Sequence, residues 1–237
     1  AVFDHGLYEG LVDANPAAMV AKALKRGAPA RRRRPAAVRL DLARKALAAI
    51  EAATGEAPAK LASRLLALTM VRPAVVRGAA WAEIEGIDWE AGAAEAAVWR
   101  VPPARMKLVR ARKQDQAFEH VVALSRQAVA LLREIRAAGV SGALIFPNAR
   151  DRRRPMSKNA LGDLYRRAGL RGRHVPHGWR AAFSTIMNER HRADRAVIDL
   201  VLAHTPKDKV EAAYNRAEHL GRRRELLQEW ADLLDGE

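Results

Sequence analysis

The feature of this sequence that most constrains its fold is a change in the spacing of its apolar residues. Two early stretches, 36–53 and 59–70, repeat apolar residues at the intervals of an amphipathic helix. Three shorter stretches that follow, 82–89, 96–101 and 118–124, partly alternate apolar with polar residues and are rich in β-branched and aromatic side chains. Helical spacing then returns. The sequence therefore predicts a mainly helical α+β domain with one small antiparallel sheet.

Caps and helix breakers divide the second half of the chain into further helices. Ser125 and Ser157 are predicted to cap the first two of them. The predicted helices cover 125–138, 157–168, 177–189, 195–203, 208–214 and 218–234. The last helix carries one apolar stripe, formed by Leu226, Leu227, Trp230, Leu233 and Leu234. We expect this stripe to pack within its own domain, and docking on a neighbouring protomer is the alternative.

The composition is strongly basic. The 237 residues include 42 Lys and Arg against 27 Asp and Glu, a formal net charge of +15, which predicts a polyanionic partner because phosphate contacts release condensed counterions. Arginine outnumbers lysine, which favours bidentate phosphate binding, although a GC-rich genome would produce the same bias. The chain lacks cysteine, which excludes disulfides and thiolate metal sites. It also lacks a bilayer-length apolar run and a signal-peptide pattern, so we expect a cytoplasmic protein.

The first 35 residues differ in character from the rest. Residues 1–24 keep a loose helical spacing but are too few to fold alone, and because the chain starts with Ala rather than Met, we expect a fragment or a processed product. Residues 25–35 form a basic linker punctuated by Pro and Gly. Its candidate DNA contacts are Arg31, Arg32, Arg33 and Arg34. Two roles fit this linker equally well, a segment that follows the DNA backbone and a solvated tether.

Arg72 stands out because it is a charged residue in an apolar segment and directly precedes Pro73. The residue before a proline leaves the helical region, so the side chain of Arg72 is aimed away from the preceding helix face. A charge in apolar surroundings needs a partner. On this segment alone, a structural ion pair is the somewhat stronger interpretation and a catalytic role is the alternative.

Two loops add further basic side chains. The first connects the second and third predicted strands, and the second precedes the helix predicted at 157–168. Their candidate DNA contacts are Arg105, Arg110, Arg112, Lys113, Arg152, Arg153, Arg154 and Lys158. A basic loop beside a sheet can enter a groove or, through Lys107, bring an ammonium to a phosphate; a solvated hairpin is the ordinary alternative.

The densest chemistry lies near the end of the chain, at His177, Arg180, His204 and Tyr214. A phenol is a weak nucleophile at neutral pH, so it needs groups that take its proton and stabilise negative charge on the electrophile. On a helix that begins at His177, His177 and Arg180 are neighbours near the helix N-terminus, which favours anions. Each residue alone has an ordinary structural explanation; together they suggest that a tyrosine attacks a phosphate.

Seven short strings, in this order, resemble the catalytic domain of tyrosine recombinases of the prophage-integrase type. The resemblance runs from about Leu61 to Trp230. The strings are Leu65-Leu66-Ala67-Leu68-Thr69 with Val71-Arg72-Pro73, Arg105-Met106-Lys107, Leu124-Ser125-Arg126-Gln127-Ala128, Ile145-Phe146-Pro147, His177-Gly178-Trp179-Arg180, Leu202-Ala203-His204, and the string from Val210 to Glu218 that contains Tyr214. Any one string is weak evidence, but seven in the family's order are strong evidence.

The resemblance implies a role for each of these positions. Arg72 and Arg180 would bind the non-bridging oxygens of the scissile phosphate, and Lys107 would be the general acid on the leaving 5′-oxygen. His177 would assist proton transfer from the nucleophile. In the same scheme His204 would hydrogen-bond the phosphate, and Tyr214 would attack it to give a 3′-phosphotyrosyl enzyme. No metal or other cofactor is expected, because the cations supply the positive charge and the ester conserves the cleaved bond.

The chain departs from the family pattern at two places. Three residues after Arg72 the family usually has Glu or Asp, which orients the neighbouring basic groups, whereas this chain has Val75. The hairpin is also longer than is common in these integrases, because residues 108–119 follow Lys107 before the next strand. Lys113 is therefore an alternative to Lys107 as the general acid.

The resemblance also implies a domain organisation and an assembly. Residues 1–35 would be the end of a core-binding domain plus the linker, and residues 36–237 the catalytic domain. The expected partner is double-stranded DNA with attachment sites, bound by a homotetramer that is monomeric when free, with accessory DNA-bending or excision factors as further candidates in a prokaryotic nucleoid. Integration or excision of a prophage or genomic island is the expected function. The alternatives are a catalytically degenerate DNA-binding protein and a type IB topoisomerase.

Overall fold

The computed structural model describes residues 2–18, 20, 34–90, 96–139, 142–204 and 219–236. The contacts divide the chain into two compact units, residues 1–33 and residues 34–237. The first unit contains helix α1 (Val2–Tyr8), which has no buried residue. Of the helical segment predicted to end at residue 24, the part beyond residue 20 lies outside the described residues.

The second unit is mainly helical. Its described helices are α2 (Leu40–Ala52), α3 (Ala57–Thr69), α4 (Pro73–Arg77), α5 (Arg126–Ala137), α6 (Ala160–Arg167), α7 (Gly178–Arg190), α8 (Arg195–Val201) and α9 (Leu220–Asp235). They agree in place with the predicted helices, apart from the one predicted at 208–214, which lies outside the described residues. None of the described helices is long and apolar enough to cross a membrane.

Local chemistry sets the helix ends in several places. Ser125 caps α5 as predicted, because its hydroxyl accepts a hydrogen bond from the Ala128 amide at 3.2 Å. The predicted cap at Ser157 is wrong. Helix α6 starts at Ala160, with Asn159 in the capping position, and the Ser157 hydroxyl instead accepts from the Asn159 amide at 3.4 Å within the preceding turn.

The sheet has three antiparallel strands in the order β1 (Ile84–Glu85), β2 (Val98–Val101) and β3 (His120–Ala123). Trp99 in the central strand pairs with Ile84 on one side and Val122 on the other. The prediction of a small antiparallel sheet is confirmed, although β1 is much shorter than the predicted 82–89 because Trp81–Glu83 form a 3₁₀ turn.

Three fully buried tryptophans connect the layers of the core. Trp99 belongs to the sheet, Trp179 to α7 and Trp230 to α9, and all three have 0% exposure. Trp230 packs edge-to-face on Phe183 of α7 at 5.5 Å, and its indole N–H donates to the Ala67 carbonyl of α3 at 2.8 Å. Four members of the predicted stripe of α9 are buried and Leu233 is partly buried, so this helix packs within its own domain.

Candidate catalytic and DNA-binding site

Arg180 lies in the first turn of α7 and is buried, with 6% exposure. Its guanidinium donates to the Met70 carbonyl, at the end of α3, at 2.5 Å, and to the Leu202 carbonyl, just after α8. These contacts join three segments that are distant in the sequence. Because the backbone oxygens carry no net charge, they satisfy the hydrogen bonds of Arg180 without neutralising it.

Arg72 occupies the N-cap position of α4, with extended backbone angles and Pro73 as the first helical residue. The prediction that the backbone leaves the helical region at Arg72 is confirmed. It is half-buried, and its Nη2 donates to the Ala203 carbonyl at 3.4 Å. In the part of the chain that the structure describes, neither Arg72 nor Arg180 forms an ion pair with a carboxylate. The interpretation of Arg72 as one partner of a structural ion pair therefore finds no support there.

The two arginines lie close enough for the charge of Arg72 to lower the pKa of Arg180. Burial lowers the pKa of Arg180 to about 10, with the positive charge of Arg72 as the second cause, and burial also lowers the pKa of Arg72. Both guanidiniums remain charged at neutral pH. Two neighbouring cations that lack a carboxylate partner among the described residues make a site that an anion would stabilise.

The backbone that accepts from these arginines is unusual. Met70 and Ala203 are the non-glycine residues with positive φ among the described ones, at 56° and 47°. The left-handed conformation costs an L-residue about 1–2 kcal/mol. The Met70 carbonyl accepts from Arg180 and the Ala203 carbonyl accepts from Arg72, so both strained positions lie at the arginine pair.

Two predicted histidines lie beside the arginines. His177 is the N-cap residue of α7, and its pKa falls to about 4, first through burial and then through the charges of Arg180, Arg34 and Arg72. It is therefore neutral at pH 7 and able to accept a proton. The exposed His204 bonds through Nδ1 to the Asp199 carboxylate at 2.8 Å. Since a carboxylate accepts, Nδ1 carries the proton, and Nε2 is the ring nitrogen left for another ligand.

A third histidine, His120, reaches the same site, and the sequence analysis did not predict it as functional. It is buried at the start of β3 and lines a small cavity together with Arg72, Arg180 and Met106. Burial, followed by the charges of Arg223, Arg180 and Arg72, lowers its pKa to about 3, so it is neutral. Its Nε2 has no hydrogen-bond partner in the described structure. The sequence places His120 in a predicted strand and gives no further sign of a functional role.

The hairpin that follows β2 brings Lys107 next to this cavity. Met106 is buried in the cavity wall, and Lys107 is the next residue, with an exposed side chain. Lys113 is also exposed and lies in the 3₁₀ turn Arg110–Lys113 farther along the hairpin. The structure therefore fixes the chain immediately before Lys107 against the arginine pair.

The predicted DNA contacts fall into three groups. Arg34, Arg110, Lys113, Arg152, Arg153, Arg154 and Lys158 are exposed. Arg105 and Arg112 have intramolecular contacts, because Arg105 binds Glu83 and the Val75 carbonyl, and Arg112 stacks over Phe118 at 5.0 Å. Among the exposed residues, Arg154 also pairs with Asp151 at 3.3 Å. Arg31, Arg32 and Arg33, and also the predicted nucleophile Tyr214, lie outside the described residues. A DNA contact for each of them remains a prediction.

A buried histidine holds the first residues of the second unit. The amide of Ala37 donates to Nδ1 of His174 at 3.0 Å, and His174 has 1% exposure. A Cβ placed on Gly178, the first residue of α7, would lie 2.8 Å from the Pro35 carbonyl oxygen, so the backbones approach closely there. These two contacts hold residues 34–37 against the start of α7 and bring Arg34 next to His177.

The arrangement gathers neutral imidazoles beside the cations Arg72 and Arg180. Among the described residues, no group of three or more His, Asp or Glu side chains is placed to hold a metal ion. Guanidiniums without carboxylate partners, a proton-accepting imidazole and a histidine oriented by Asp199 are suited to binding and reacting with a phosphate ester.

Sequence comparison agrees with this chemistry. Residues 38–219 match the profile of the Phage integrase family, which is more than half of the chain. The chain belongs to the phage integrase family. It is 32% identical over 225 residues to prophage integrase IntA of Escherichia coli (strain K12), which covers 95% of this chain and 50% of IntA. The integrase of Enterobacteria phage P4 is 29% identical over 242 residues, covering 99% of this chain and 53% of that protein.

The chain thus spans about half the length of these curated relatives of the phage integrase family. Among solved structures, the XerH site-specific recombinase in its pre-cleavage complex with difH matches with a TM-score of 0.54 at 14% identity, over 86% of this chain and 56% of XerH. The XerA recombinase matches with a TM-score of 0.52 at 15% identity, over 82% of this chain and 64% of XerA. The resemblance to tyrosine recombinases and the predicted fold are both confirmed.

Proposed function

We propose that this member of the phage integrase family cleaves and rejoins DNA strands as a site-specific recombinase, through a 3′-phosphotyrosine at Tyr214. One observation carries the proposal: Arg72 and Arg180 converge on one site with their charges unneutralised by any described carboxylate. A phosphodiester supplies the missing negative charge. The backbone carbonyls that accept from both guanidiniums hold them in place before the substrate arrives.

In this mechanism the two guanidiniums bind the non-bridging oxygens of the scissile phosphate and stabilise the charge of the pentavalent transition state. The Tyr214 oxygen attacks phosphorus as the bond to the 5′-oxygen breaks. Neutral His177 takes the phenolic proton, which its low pKa of about 4 permits at pH 7. Asp199 holds the Nδ1–H of His204, and in its doubly protonated form His204 donates from Nε2 to the phosphate.

Lys107 gives a proton to the leaving 5′-oxygen, and the free 5′-hydroxyl of a second strand later reverses the reaction. The covalent ester conserves the energy of the broken bond, so no nucleotide cofactor is consumed. Met106, anchored in the cavity beside the arginines, supports Lys107 over Lys113 as this acid.

The relatives support a biological setting for this reaction. Prophage integrase IntA and the phage P4 integrase support integration or excision of a prophage or genomic island as the function. The partners in this proposal are double-stranded DNA with attachment sites, a homotetramer on DNA formed from free monomers, and accessory DNA-bending or excision factors. Residues 1–35 are proposed to be the end of a core-binding domain with its linker, and residues 36–237 the catalytic domain.

Covalent trapping tests the proposal. The protein is incubated with supercoiled DNA in EDTA, quenched with denaturant and examined for nicked DNA linked to protein. The chain contains three tyrosines, and Tyr8 is 87% exposed, so Tyr8→Phe is a matched control for Tyr214→Phe. We expect adducts from the wild type and from Tyr8→Phe and none from Tyr214→Phe, with a free 5′-hydroxyl that a kinase can label.

Four results would contradict the proposal or redirect it. An adduct with Tyr214→Phe, or a requirement for a divalent ion, refutes the tyrosine mechanism. Salt-dependent DNA binding without an adduct in any variant favours a degenerate DNA-binding protein, and Val75→Glu is then the variant to test. Relaxation of supercoils without strand exchange between two duplexes indicates a topoisomerase.

A further inference from the structure

Arg105 was predicted to contact DNA, but its guanidinium is turned into the protein. Nη1 donates to both carboxylate oxygens of Glu83, and Nη2 donates to the Val75 carbonyl of α4. The Arg105 and Glu83 side chains are only 22% and 11% exposed. We call Arg105, Glu83 and the Val75 carbonyl the Arg105 bracket.

The carboxylate of the bracket is held from other directions too. Oε2 of Glu83 accepts from the indole N–H of Trp99 in β2 at 2.9 Å and from the Ala80 amide at 3.3 Å. Trp99 is fully buried, so this end of the bracket is anchored in the core. A largely buried carboxylate with an arginine and two further donors has one preferred geometry, because losing any donor leaves its charge undersolvated.

The other end of the bracket rests on the backbone of α4. A Cβ on Gly78, which follows α4, would lie 3.3 Å from Nη2 of Arg105, so the guanidinium packs directly on this glycine. Arg72 is the N-cap of the same short helix. The bracket therefore connects the base of the hairpin to the element that carries Arg72.

Lys107 follows the bracket by two residues, and the residue between them is also fixed. Met106 lines the cavity that contains Arg72, His120 and Arg180. The chain is thus anchored at two successive positions just before Lys107. Residues 108–119, the long part of the hairpin, come after this anchor.

We propose that Arg105 is a positioning residue, which holds the base of the hairpin through Glu83 and Val75 so that the Lys107 ammonium reaches the leaving 5′-oxygen. The proposal rests on the function proposed above. In it, Arg105 acts through Lys107 and touches neither the DNA nor the reacting atoms. The Glu83 carboxylate neutralises the positive charge of Arg105.

A substrate with sulfur in place of the bridging 5′-oxygen shows whether Arg105 positions the acid Lys107 or has only a general structural role. The scissile position is first mapped from the wild-type adduct, and matched duplexes with oxygen or sulfur at that position are synthesised. When the oxygen substrate is cleaved, the P–O5′ bond breaks and Lys107 supplies the proton. When the sulfur substrate is cleaved, the P–S bond breaks and the leaving thiolate needs no proton, because thiols ionise near a pKa of about 8.5.

The variants are Lys107→Met, Arg105→Met and the isosteric Glu83→Gln. Arg100→Met and Glu85→Gln are the controls, because Arg100 and Glu85 form an exposed pair on the same sheet, with Nε and Oε2 2.7 Å apart. Arg100 also binds Glu119 at 2.9 Å, at the end of the hairpin that is farthest in sequence from Arg105. Arg105→Lys keeps the charge but loses the planar fork, and serves if Arg105→Met unfolds. Thermal unfolding shows which variants are folded.

On the oxygen substrate we expect Lys107→Met to lose roughly 100-fold or more in cleavage rate, as removal of a general acid does. Arg105→Met and Glu83→Gln should lose roughly tenfold or more, and on the sulfur substrate all three should return to within a few-fold of the wild type. The Arg100 and Glu85 variants should cleave both substrates normally.

Two outcomes overturn the positioning role. In one, Arg105→Met cleaves the oxygen substrate normally; in the other, sulfur rescues Lys107→Met but not Arg105→Met. If sulfur does not rescue Lys107→Met, the lysine assignment fails and the role of Arg105 fails with it, whereas the Tyr214 adduct still stands.

Amide hydrogen exchange tests the bracket even where no cleavage is detected, as when the wild type forms no adduct. In Arg105→Met the amides of residues 106–108 should exchange faster than in Arg100→Met, while β3 remains protected. Unchanged exchange at residues 106–108 contradicts the proposal independently of any activity.

Discussion

Gly178 and Gly162 offer a test of the contact that holds residues 34–37 on α7, because the same substitution at the two helical glycines should have opposite effects. A Cβ on Gly178 would lie 2.8 Å from the Pro35 carbonyl oxygen and 3.1 Å from Cε1 of His174, whereas a Cβ on Gly162 in α6 would meet nothing within 4 Å. Gly162→Ala is therefore the matched control for Gly178→Ala.

The magnitudes follow from these distances. Replacing an unhindered helical glycine with alanine stabilises by about 0.5–1 kcal/mol. At Gly178 that gain is opposed by overpacking, which costs about 1–3 kcal/mol when a backbone oxygen must move. At about 2–4 °C per kcal/mol for a chain of this size, we expect Gly162→Ala to raise Tm by about 1–4 °C. Gly178→Ala has a net cost of up to about 2.5 kcal/mol and should lower Tm by up to about 10 °C.

Urea unfolding measures both variants, and amide exchange at Ala37 reports the contact directly. In Gly178→Ala the hydrogen bond from Ala37 to His174 should weaken and the Ala37 amide should exchange faster, with no change in Gly162→Ala. The reasoning is refuted if Gly178→Ala is stabilised as much as Gly162→Ala and the protection of Ala37 is unaltered.

Four further predictions follow. Ala203→Gly should stabilise by about 0.5–1 kcal/mol in urea unfolding, because relief of the strained φ of 47° exceeds the added flexibility of the unfolded chain; a loss of stability would contradict this. Arg180→Lys should fold but lose roughly 100- to 1,000-fold in adduct formation, and wild-type rates would contradict its role. Asp199→Asn should slow adduct formation about tenfold, the worth of a charge-assisted hydrogen bond, and an unchanged rate would show that His204 needs no orientation. In the folded protein the pKa values of His120 and His174 are about 3 and 4, below the ordinary value of 6.5, so the unfolded state binds more protons. The free energy of unfolding should therefore fall as the pH drops from about 6.5 toward 4. A free energy of unfolding, measured with urea, that stays constant over that pH range would contradict the burial of both histidines as neutral groups.

The structure shows the surroundings of Val75, where the family usually has Glu or Asp. Val75 is buried, with 2% exposure, so its side chain belongs to the core, and only its carbonyl oxygen takes part in the bracket. The carboxylate in that neighbourhood is Glu83, which binds Arg105. Val75→Glu would place a second carboxylate in a buried position, so we expect that substitution to cost stability.

Local sequence patterns predicted the elements of this fold because the residues that decide them are close in the chain. Helix α5 follows its cap at Ser125, and the aromatic residues Trp179 and Phe183 of α7 are buried as their spacing indicates. The strand predicted at 82–89 is longer than the observed one, because alternation of apolar and polar residues does not distinguish a strand from a 3₁₀ turn. The cap at Ser157 failed because another polar residue, Asn159, lay closer to the true start of α6.

The sequence by itself determined the order of the motifs and the helices that carry Arg72, His177 and Arg180, and its charge predicts a polyanionic partner. Only the tertiary structure decided what those side chains touch. Arg180 binds a carbonyl 110 residues away at Met70, and Arg72 binds one 131 residues away at Ala203. Periodicity reports which face of an element is buried, whereas hydrogen-bond partners depend on how distant elements pack, so the inward turn of Arg105 and the burial of His120 beside the arginines could be found only in the folded chain.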